Sequence, residues 1–243
     1  MPQKPTENVH AGHRKRLLAR FERDDFDSFE DHNILELLLF HTIPRADTNP
    51  AAHALINRFG SLYGVLSAPP EELQRTEGIG PASASFLHSV FEAAREADFR
   101  RITERPLFSY ERLAAAAVAF FAGKTEETVV LFLLDDARRL AGTAVLAEGQ
   151  NVCPVSYHDA ILAQTGRFHT RNAVLLHNHP DGIMQPSGED VALTSALYES
   201  LRACGIRLLE HLLVHEFDTL PILDRSVGYG ASAYPLADAA PRS

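Results

Sequence analysis

The sequence contains few of the features that mark secreted or membrane proteins. Its 243 residues include two cysteines, Cys153 and Cys204, which lie far apart and form no CxxC pair. This argues against a disulfide framework and a thiolate metal site, and we expect both side chains to be small buried hydrophobic groups. The longest apolar runs, such as Thr128–Leu134, are too short to span a bilayer. The segment Met1–Arg20 has no apolar stretch typical of a secretory signal, so we expect a cytoplasmic protein.

An excess of basic residues is also missing, because the formal net charge is −9. A dedicated nucleic-acid binder usually carries a basic footprint, and the chain as a whole has none. The densest basic patch, His13–Arg16, is followed closely by the acidic stretch Glu22–Asp27. We interpret both as a solvated charged tail.

The first hundred residues predict a small helical domain. Its expected helices are Asn33–Phe40, Ala51–Phe59, Glu71–Thr76 and Ala82–Arg95. The last two are joined by the turn Gly78-Ile79-Gly80-Pro81. The charged stretch Asp98–Tyr110, which contains Pro106, is the best candidate for a domain boundary. We therefore predict domains at 1–105 and 106–230, followed by an alanine-rich tail at 231–243.

After this boundary, strand and helix patterns alternate. The expected strands are Thr128–Leu134, Leu140–Ala147, Ala173–Leu176 and Ile206–Val214. The expected helices are Leu113–Phe121, His158–Thr165 and Glu189–Cys204, the last with Gly205 in the C′ position. This intermixing predicts an α/β domain with a mixed sheet.

The strongest chemical signal is His177-Asn178-His179-Pro180, followed by Ser187-Gly188-Glu189-Asp190. Two histidines two residues apart at a strand end lie on the same face. Asp190 completes a three-ligand zinc site with an open position for water, provided that the Asp181–Pro186 loop folds back. Such a site makes hydroxide available at neutral pH.

Each part of this motif has an ordinary structural alternative. A histidine pair at a strand edge is often only part of the polar, solvent-exposed rim of the sheet. Ser187 followed by Asp190 is also a capping box. Ser187 and Asp190 can cap the helix and belong to the metal site at the same time. The combination of same-face histidines, a Pro/Gly loop and a helix opened by Ser and Asp favours metal binding.

The pattern H-x-H, seven residues, then S-x-x-D resembles the JAMM (MPN/JAB) metallohydrolases. The finer form HNHP…PSGED resembles the bacterial RadC family, and the resemblance covers most of residues 15–228. It implies an N-terminal all-α helix-hairpin-helix domain, which includes Glu77–Pro81. It also implies a C-terminal JAMM/MPN (cytidine-deaminase-like) α/β domain with a mixed sheet and Zn²⁺ as cofactor.

The same resemblance assigns roles to two further residues. A glutamate at the start of the first strand serves as general base in JAMM proteins, and Glu127 falls at that place, with Glu126 adjacent. Ser187 would stabilise the developing oxyanion. Asp181 departs from the HNHPSG pattern usual in the RadC family, and its extra carboxylate could compete for the metal or alter the substrate groove.

We do not expect four other histidines to be zinc ligands. His158 and His169 lie in a stretch that follows the family loosely, and we expect them at the surface. His211 and His215 are four apart in a strand-like segment without an HExxH motif, so we predict no second zinc site there.

The Gly78-Ile79-Gly80 turn suggests a contact with DNA. Two glycines let the backbone approach a phosphate, and the next helix directs its N–H groups there, which binds duplex DNA without sequence readout. Alternatively, the turn is plain helix packing with Ile79 in the core, and the acidic neighbours favour that interpretation.

Three functions remain open at this point. The first is a zinc-dependent hydrolase of peptide or isopeptide bonds that is associated with DNA repair or replication. The second is a DNA-binding, repair-associated protein whose metal site is structural or vestigial. The third is a metal-dependent nuclease. The sequence does not identify the protein or peptide substrate.

Overall fold

The computed structural model describes residues 9–44, 46–149 and 157–223. The chain divides into two compact units, residues 1–94 and 95–243. Cys153, the predicted tail and the last residues of the predicted second domain lie outside the described residues. No helix in the described ranges is both long and apolar enough to cross a membrane.

The first unit is helical. Its helices are α1 (Val9–Asp24), α2 (Asp31–Leu39), α3 (Asn49–Phe59), α4 (Leu62–Ser67), α5 (Pro70–Leu73) and the first part of α6 (Pro81–Thr103). Local signals set several of these ends: Ser61 accepts a hydrogen bond from the Gly64 amide at the start of α4, and Gly60 ends α3 in the left-handed region. The core contains fully buried leucines from four helices, namely Leu35, Leu39, Leu55, Leu73 and Leu87.

The basic patch near the N-terminus belongs to α1, so our interpretation of it as a solvated tail was wrong. The Arg14 guanidinium donates to the carbonyls of Ile43 and Ala46, and it lies over the Phe40 ring. His13 hydrogen-bonds to the buried Glu36 carboxylate at 2.8 Å. These side chains therefore tie α1 to the rest of the helical unit.

Helix α6 continues past the predicted end at Arg95, so the predicted boundary segment Asp98–Tyr110 is helical in its first part. The extension is explained by packing, because Phe99 is 9% exposed and contributes to the core of the second unit. The Arg100–Glu96 pair, at 2.7 Å and i,i+4 spacing, adds a modest local contribution. The predicted domain limits themselves remain a prediction.

The second unit contains a five-stranded mixed sheet. Its strands are β1 (Thr128–Leu134), β2 (Leu140–Glu148), β3 (Asn172–Asn178), β4 (Arg207–His215) and β5 (Asp218–Pro221), in the order β2-β1-β3-β4-β5. β3 and β4 are parallel, and the other neighbours are antiparallel. The α/β class and the mixed sheet predicted from the sequence are therefore confirmed, whereas β5 was not predicted.

Helices cover both faces of this sheet, so β1, β3 and most of β4 are buried. The helices are α7 (Tyr110–Phe121), α8 (Tyr157–Arg167) and α9 (Gly188–Ala203). Strand alternation sends Val130 and Phe132 toward α7, and sends Val129 and Leu175 toward α8 and α9. His177, two residues after Leu175, therefore points to the α8/α9 face.

Candidate metal centre

The centre lies where the end of β3 meets the start of α9. Ser187 is the N-cap of α9: its hydroxyl accepts from the Asp190 amide, and the Asp190 carboxylate accepts from the Ser187 amide. This reciprocal capping box was one of the two interpretations of the motif, and it is confirmed. It also fixes the Asp190 carboxylate beside the end of β3.

His177, His179 and Asp190 bring three ligand atoms together, all within 4.8 Å of one another. His177 Nε2 lies 3.2 Å from His179 Nε2 and 3.5 Å from Asp190 Oδ1. His179 Nε2 lies 3.8 Å from Asp190 Oδ2. Within the described ranges, this is the one cluster of at least three His, Cys, Asp or Glu side chains arranged to hold a metal ion.

The tautomer of His179 suits a metal ligand. Its Nδ1 lies 2.9 Å from the Ile183 carbonyl oxygen, which can only accept, so Nδ1 carries the proton. In the neutral ring this leaves Nε2 as a lone pair directed at His177 and Asp190. The backbone of His179 is held in turn, because its carbonyl accepts from His215 Nδ1 at 3.0 Å. Two imidazole nitrogens and a carboxylate are the donor set of many three-ligand zinc sites, and the residues fit that ion.

Behind His177, the site contains two residues that we did not predict. His177 Nδ1 lies 2.8 Å from His211 Nε2, and His211 Nδ1 lies 2.6 Å from the Thr194 hydroxyl. Burial lowers the pKa of His177 to about 4, although the Asp190 charge acts in the opposite direction. Burial likewise lowers the pKa of His211 well below its ordinary value, and His177 adds to this effect. The sequence signal was a polar side chain inside the apolar run of β4.

The three candidate ligands line a cavity of about 270 Å³, which Glu127 also lines. The strand register explains this placement. Val129 pairs with His177 in the antiparallel β1–β3 ladder, so two further steps of the same register bring Glu127 opposite His179. Glu127 is exposed, and the neighbouring Glu126 directs its carboxylate toward Gly149 instead.

Asn178, between the two histidines, holds the chain on both sides of Glu127. Its Oδ1 accepts from the Thr128 amide at 2.8 Å, and its Nδ2 donates to the Glu126 carbonyl at 3.1 Å. Since alternate residues of a strand point to opposite faces, Asn178 points away from the metal ligands. It therefore positions Glu127 without entering the cavity.

Two other residues of the motif are engaged in local hydrogen bonds. The Ser187 hydroxyl donates to Asp190 Oδ2 at 2.7 Å, so it orients the carboxylate as well as capping α9. Asp181 Oδ1 accepts from the Ile183 amide at 3.1 Å. This bond stabilises the loop whose Ile183 carbonyl is the hydrogen-bond partner of His179 Nδ1. In this structure Asp181 is therefore engaged with the loop backbone, and it is not one of the three clustered side chains His177, His179 and Asp190.

The remaining cysteine and histidine predictions have mixed outcomes. Cys204 is exposed, so the expectation of a buried hydrophobic side chain was wrong for this residue. Its Sγ lies 4.0 Å from His158 Nε2. His158 is partly exposed and His169 is exposed, as expected.

The predicted DNA-binding residues lie in the helical unit, between α5 and α6. Ile79 is 5% exposed and belongs to the core, as the packing interpretation expects. Gly78 has φ +83°, and a Cβ there would lie 3.3 Å from the Ala51 Cβ, so the turn requires glycine. Gly80 is exposed, with open space around it.

The second unit is an α/β domain with a His, His, Asp cluster where a strand ends and a helix begins, which is the arrangement that the JAMM (MPN/JAB) resemblance implies. The family model described as "RadC-like JAB domain" matches residues 108–224. A UPF0758 protein of Burkholderia mallei (strain SAVP1) is 33% identical over 207 residues, which cover 85% of this chain and 73% of that protein. The chain therefore belongs to the RadC family.

Proposed function

We propose that this protein is a zinc-dependent hydrolase of the JAMM metallopeptidase type, which cleaves peptide or isopeptide bonds. The observation that carries the proposal is one cavity lined by three convergent ligand side chains and by a separate carboxylate, Glu127. Three protein ligands leave a coordination position for water, which distinguishes catalytic zinc sites from closed structural ones.

His177, His179 and Asp190 would hold the ion, and zinc supplies Lewis-acid activation of water at neutral pH. Glu127 takes the proton of the attacking water and passes it to the leaving amine. The Ser187 hydroxyl lies at the same cavity, and its single proton, which goes to Asp190 Oδ2 in this structure, would have to turn to the developing oxyanion in order to stabilise it. Asn178 keeps the peptide groups on both sides of Glu127 in place during these transfers.

The charge of the cavity favours an amide substrate over a phosphodiester. Besides Asp190, its lining includes the carboxylates of Glu127 and Glu189, and no lysine or arginine appears among its described lining residues. Hydrolysis of a phosphodiester requires cations that neutralise the transferring group, and here they would come from the metal alone.

A hydrolysis screen on the full chain tests the proposal. Zinc-loaded protein is assayed with peptide, isopeptide-linked and duplex DNA substrates, beside a His177→Ala/His179→Ala variant and an exposed-histidine control, His53→Ala. We expect amide cleavage by the wild type and the control only. Cleavage of DNA alone would replace the proposed reaction with nuclease activity. A zinc-loaded protein inactive on all three substrates would favour a structural metal site.

We further propose that the helical unit contacts the backbone of duplex DNA at the start of α6, which would link the enzyme to DNA repair or replication. Gly80 is exposed, and its carbonyl accepts the first hydrogen bond of this long helix, from Ala84. Arg58 and Arg75, however, are both paired with Glu72, so few free cations lie near the turn. Binding should therefore be weak, with a shallow dependence on salt.

Gly80→Val is the variant that tests this contact, because the position is open and the fold does not require glycine there. We expect the full chain to bind duplex DNA at low salt and the variant to lose this binding while its circular dichroism is unchanged. If neither protein binds at low salt, the turn serves helix packing only.

A further inference from the structure

We propose that Thr194 and His211 are positioning residues that hold His177 in the tautomer needed to bind a metal ion. The inference rests on the metal binding in the proposed function, and it adds two residues to the site. They act through His177 and do not touch the metal. The observation behind it is a continuous row of hydrogen bonds that starts at the backbone of Asp190 and ends at His177.

The direction of this row is set at its first bond. The Thr194 hydroxyl lies 2.5 Å from the backbone carbonyl oxygen of Asp190, one helical turn earlier. A carbonyl oxygen has no proton to give, so the hydroxyl must donate to it. The hydroxyl has a single proton, and therefore it accepts at its other contact, the 2.6 Å bond with His211 Nδ1.

The next two bonds follow from the first. Since the Thr194 hydroxyl accepts, His211 Nδ1 carries a proton, and in the neutral ring His211 Nε2 is a lone pair. That lone pair faces His177 Nδ1 at 2.8 Å, so His177 Nδ1 must carry the proton. His177 Nε2 is then unprotonated, and it is the atom directed at His179 and Asp190.

Burial makes the arrangement rigid. Thr194 is 0% exposed, His211 1% and His177 2%, so water has little access to exchange these bonds. Neutral imidazoles are favoured in such surroundings. The parallel pairing of β3 with β4 places His211 beside Leu175, on the face that α9 covers. The row therefore connects two metal ligands, Asp190 and His177, through the protein interior.

Nitrogen-15 NMR on the metal-free full chain tests the tautomers directly. We expect His177 and His211 to carry their protons on Nδ1 in the wild type. Thr194→Val removes the hydroxyl at nearly constant shape, frees His211 to turn its proton toward His177, and should shift His177 toward the Nε2–H form. Thr194→Ser keeps the hydroxyl and should restore the wild-type spectrum. An Nε2–H tautomer of His177 in the wild type would overturn the proposal.

Zinc affinity, measured by chelator competition, is the second readout. Thr194→Val should weaken zinc binding by about 10- to 100-fold, as for other residues that orient a ligating histidine. Thr194→Ser should bind nearly as the wild type does. The matched control is Thr165→Val, since Thr165 is also buried and its hydroxyl also bonds to a helix carbonyl, away from the site. If Thr194→Val does not fold, His211→Leu makes the same test.

The two proposals fail in different ways. A wild type that binds zinc without cleaving any substrate contradicts the hydrolase function and leaves the positioning role intact. A Thr194→Val variant with wild-type tautomers and wild-type zinc affinity contradicts the positioning role and leaves the hydrolase function intact. A wild type that binds no zinc refutes both.

Discussion

Acidification of the metal-free protein should destabilise the sheet through His177. Burial lowers the folded-state pKa of this imidazole to about 4, whereas the ordinary value is 6.5. The unfolded chain therefore binds more protons than the folded chain between these values, and stability rises with pH across that window. Above pH 6.5 His177 is neutral in both states, and the folded state keeps its full stability. As the pH falls toward 4, the unfolded chain takes up a proton that the folded chain does not, and this stability is lost.

The magnitude follows from the difference between the two pKa values. At about 1.4 kcal/mol for each pH unit, the contribution of His177 is about 3 kcal/mol. Solvent screening is weak here, because the side chain is 3% exposed. The lowered pKa of His211 acts in the same direction. A loss of this size is a large part of the stability of an ordinary domain.

Hydrogen exchange of the β3 and β4 amides measures this loss within the full chain. The free energy of opening is compared at pH 7 and 4.5 for the metal-free wild type, His177→Gln and the control His169→Asn. His169 is exposed at φ +53°, a conformation that asparagine tolerates. We expect a pH dependence that is smaller in His177→Gln and unchanged in the control. The same slope in all three proteins would show that His177 is not buried in its neutral form.

Three further predictions concern single residues. Glu127→Gln should keep zinc and lose hydrolysis by a factor on the order of 10²–10⁴, and Glu126→Gln should change neither. The reverse result would mean that Glu126, and not Glu127, is the general base. Asn178→Ala removes two backbone contacts beside Glu127, so it should lower the free energy of unfolding by about 2–4 kcal/mol in urea titrations and reduce hydrolysis without loss of zinc. Unchanged stability would mean that the two hydrogen bonds of Asn178 do not stabilise the folded state. Gly78→Ala should cost about 2 kcal/mol in the helical unit, because φ is positive there, whereas Gly80→Ala should cost less than about 1 kcal/mol. Equal costs would contradict the turn geometry.

Much of the second unit was predictable because its signals are local. The β-branched and leucine runs predicted β1 and β3, and the Ser-x-x-Asp motif predicted the start of α9. The pairing of the two candidate histidine ligands followed from period-two alternation at the end of β3, which places His177 and His179 on one face. Each of these inferences depends on residues that are close together in the sequence.

The parts that were missed depend on contacts between distant segments. His211 reaches His177 because β4 pairs in parallel with β3, and no spacing in the sequence specifies that neighbour. Arg14 belongs to a folded helix because its guanidinium finds carbonyl partners in a loop about thirty residues away. Phe99 extends α6 through packing, against a charged and proline-containing local sequence. Tertiary contacts overrode local composition in the cases of Arg14 and Phe99.

The position of zinc in crystals of the metal-loaded protein tests whether His177, His179 and Asp190 are the metal ligands. Anomalous diffraction at the zinc edge should show one strong peak per chain, within about 2.0–2.2 Å of His177 Nε2, His179 Nε2 and an Asp190 carboxylate oxygen. Glu127 should face the peak without coordinating it. No peak at the end of β3, or a peak held by His158 and Cys204 instead, would contradict this ligand assignment.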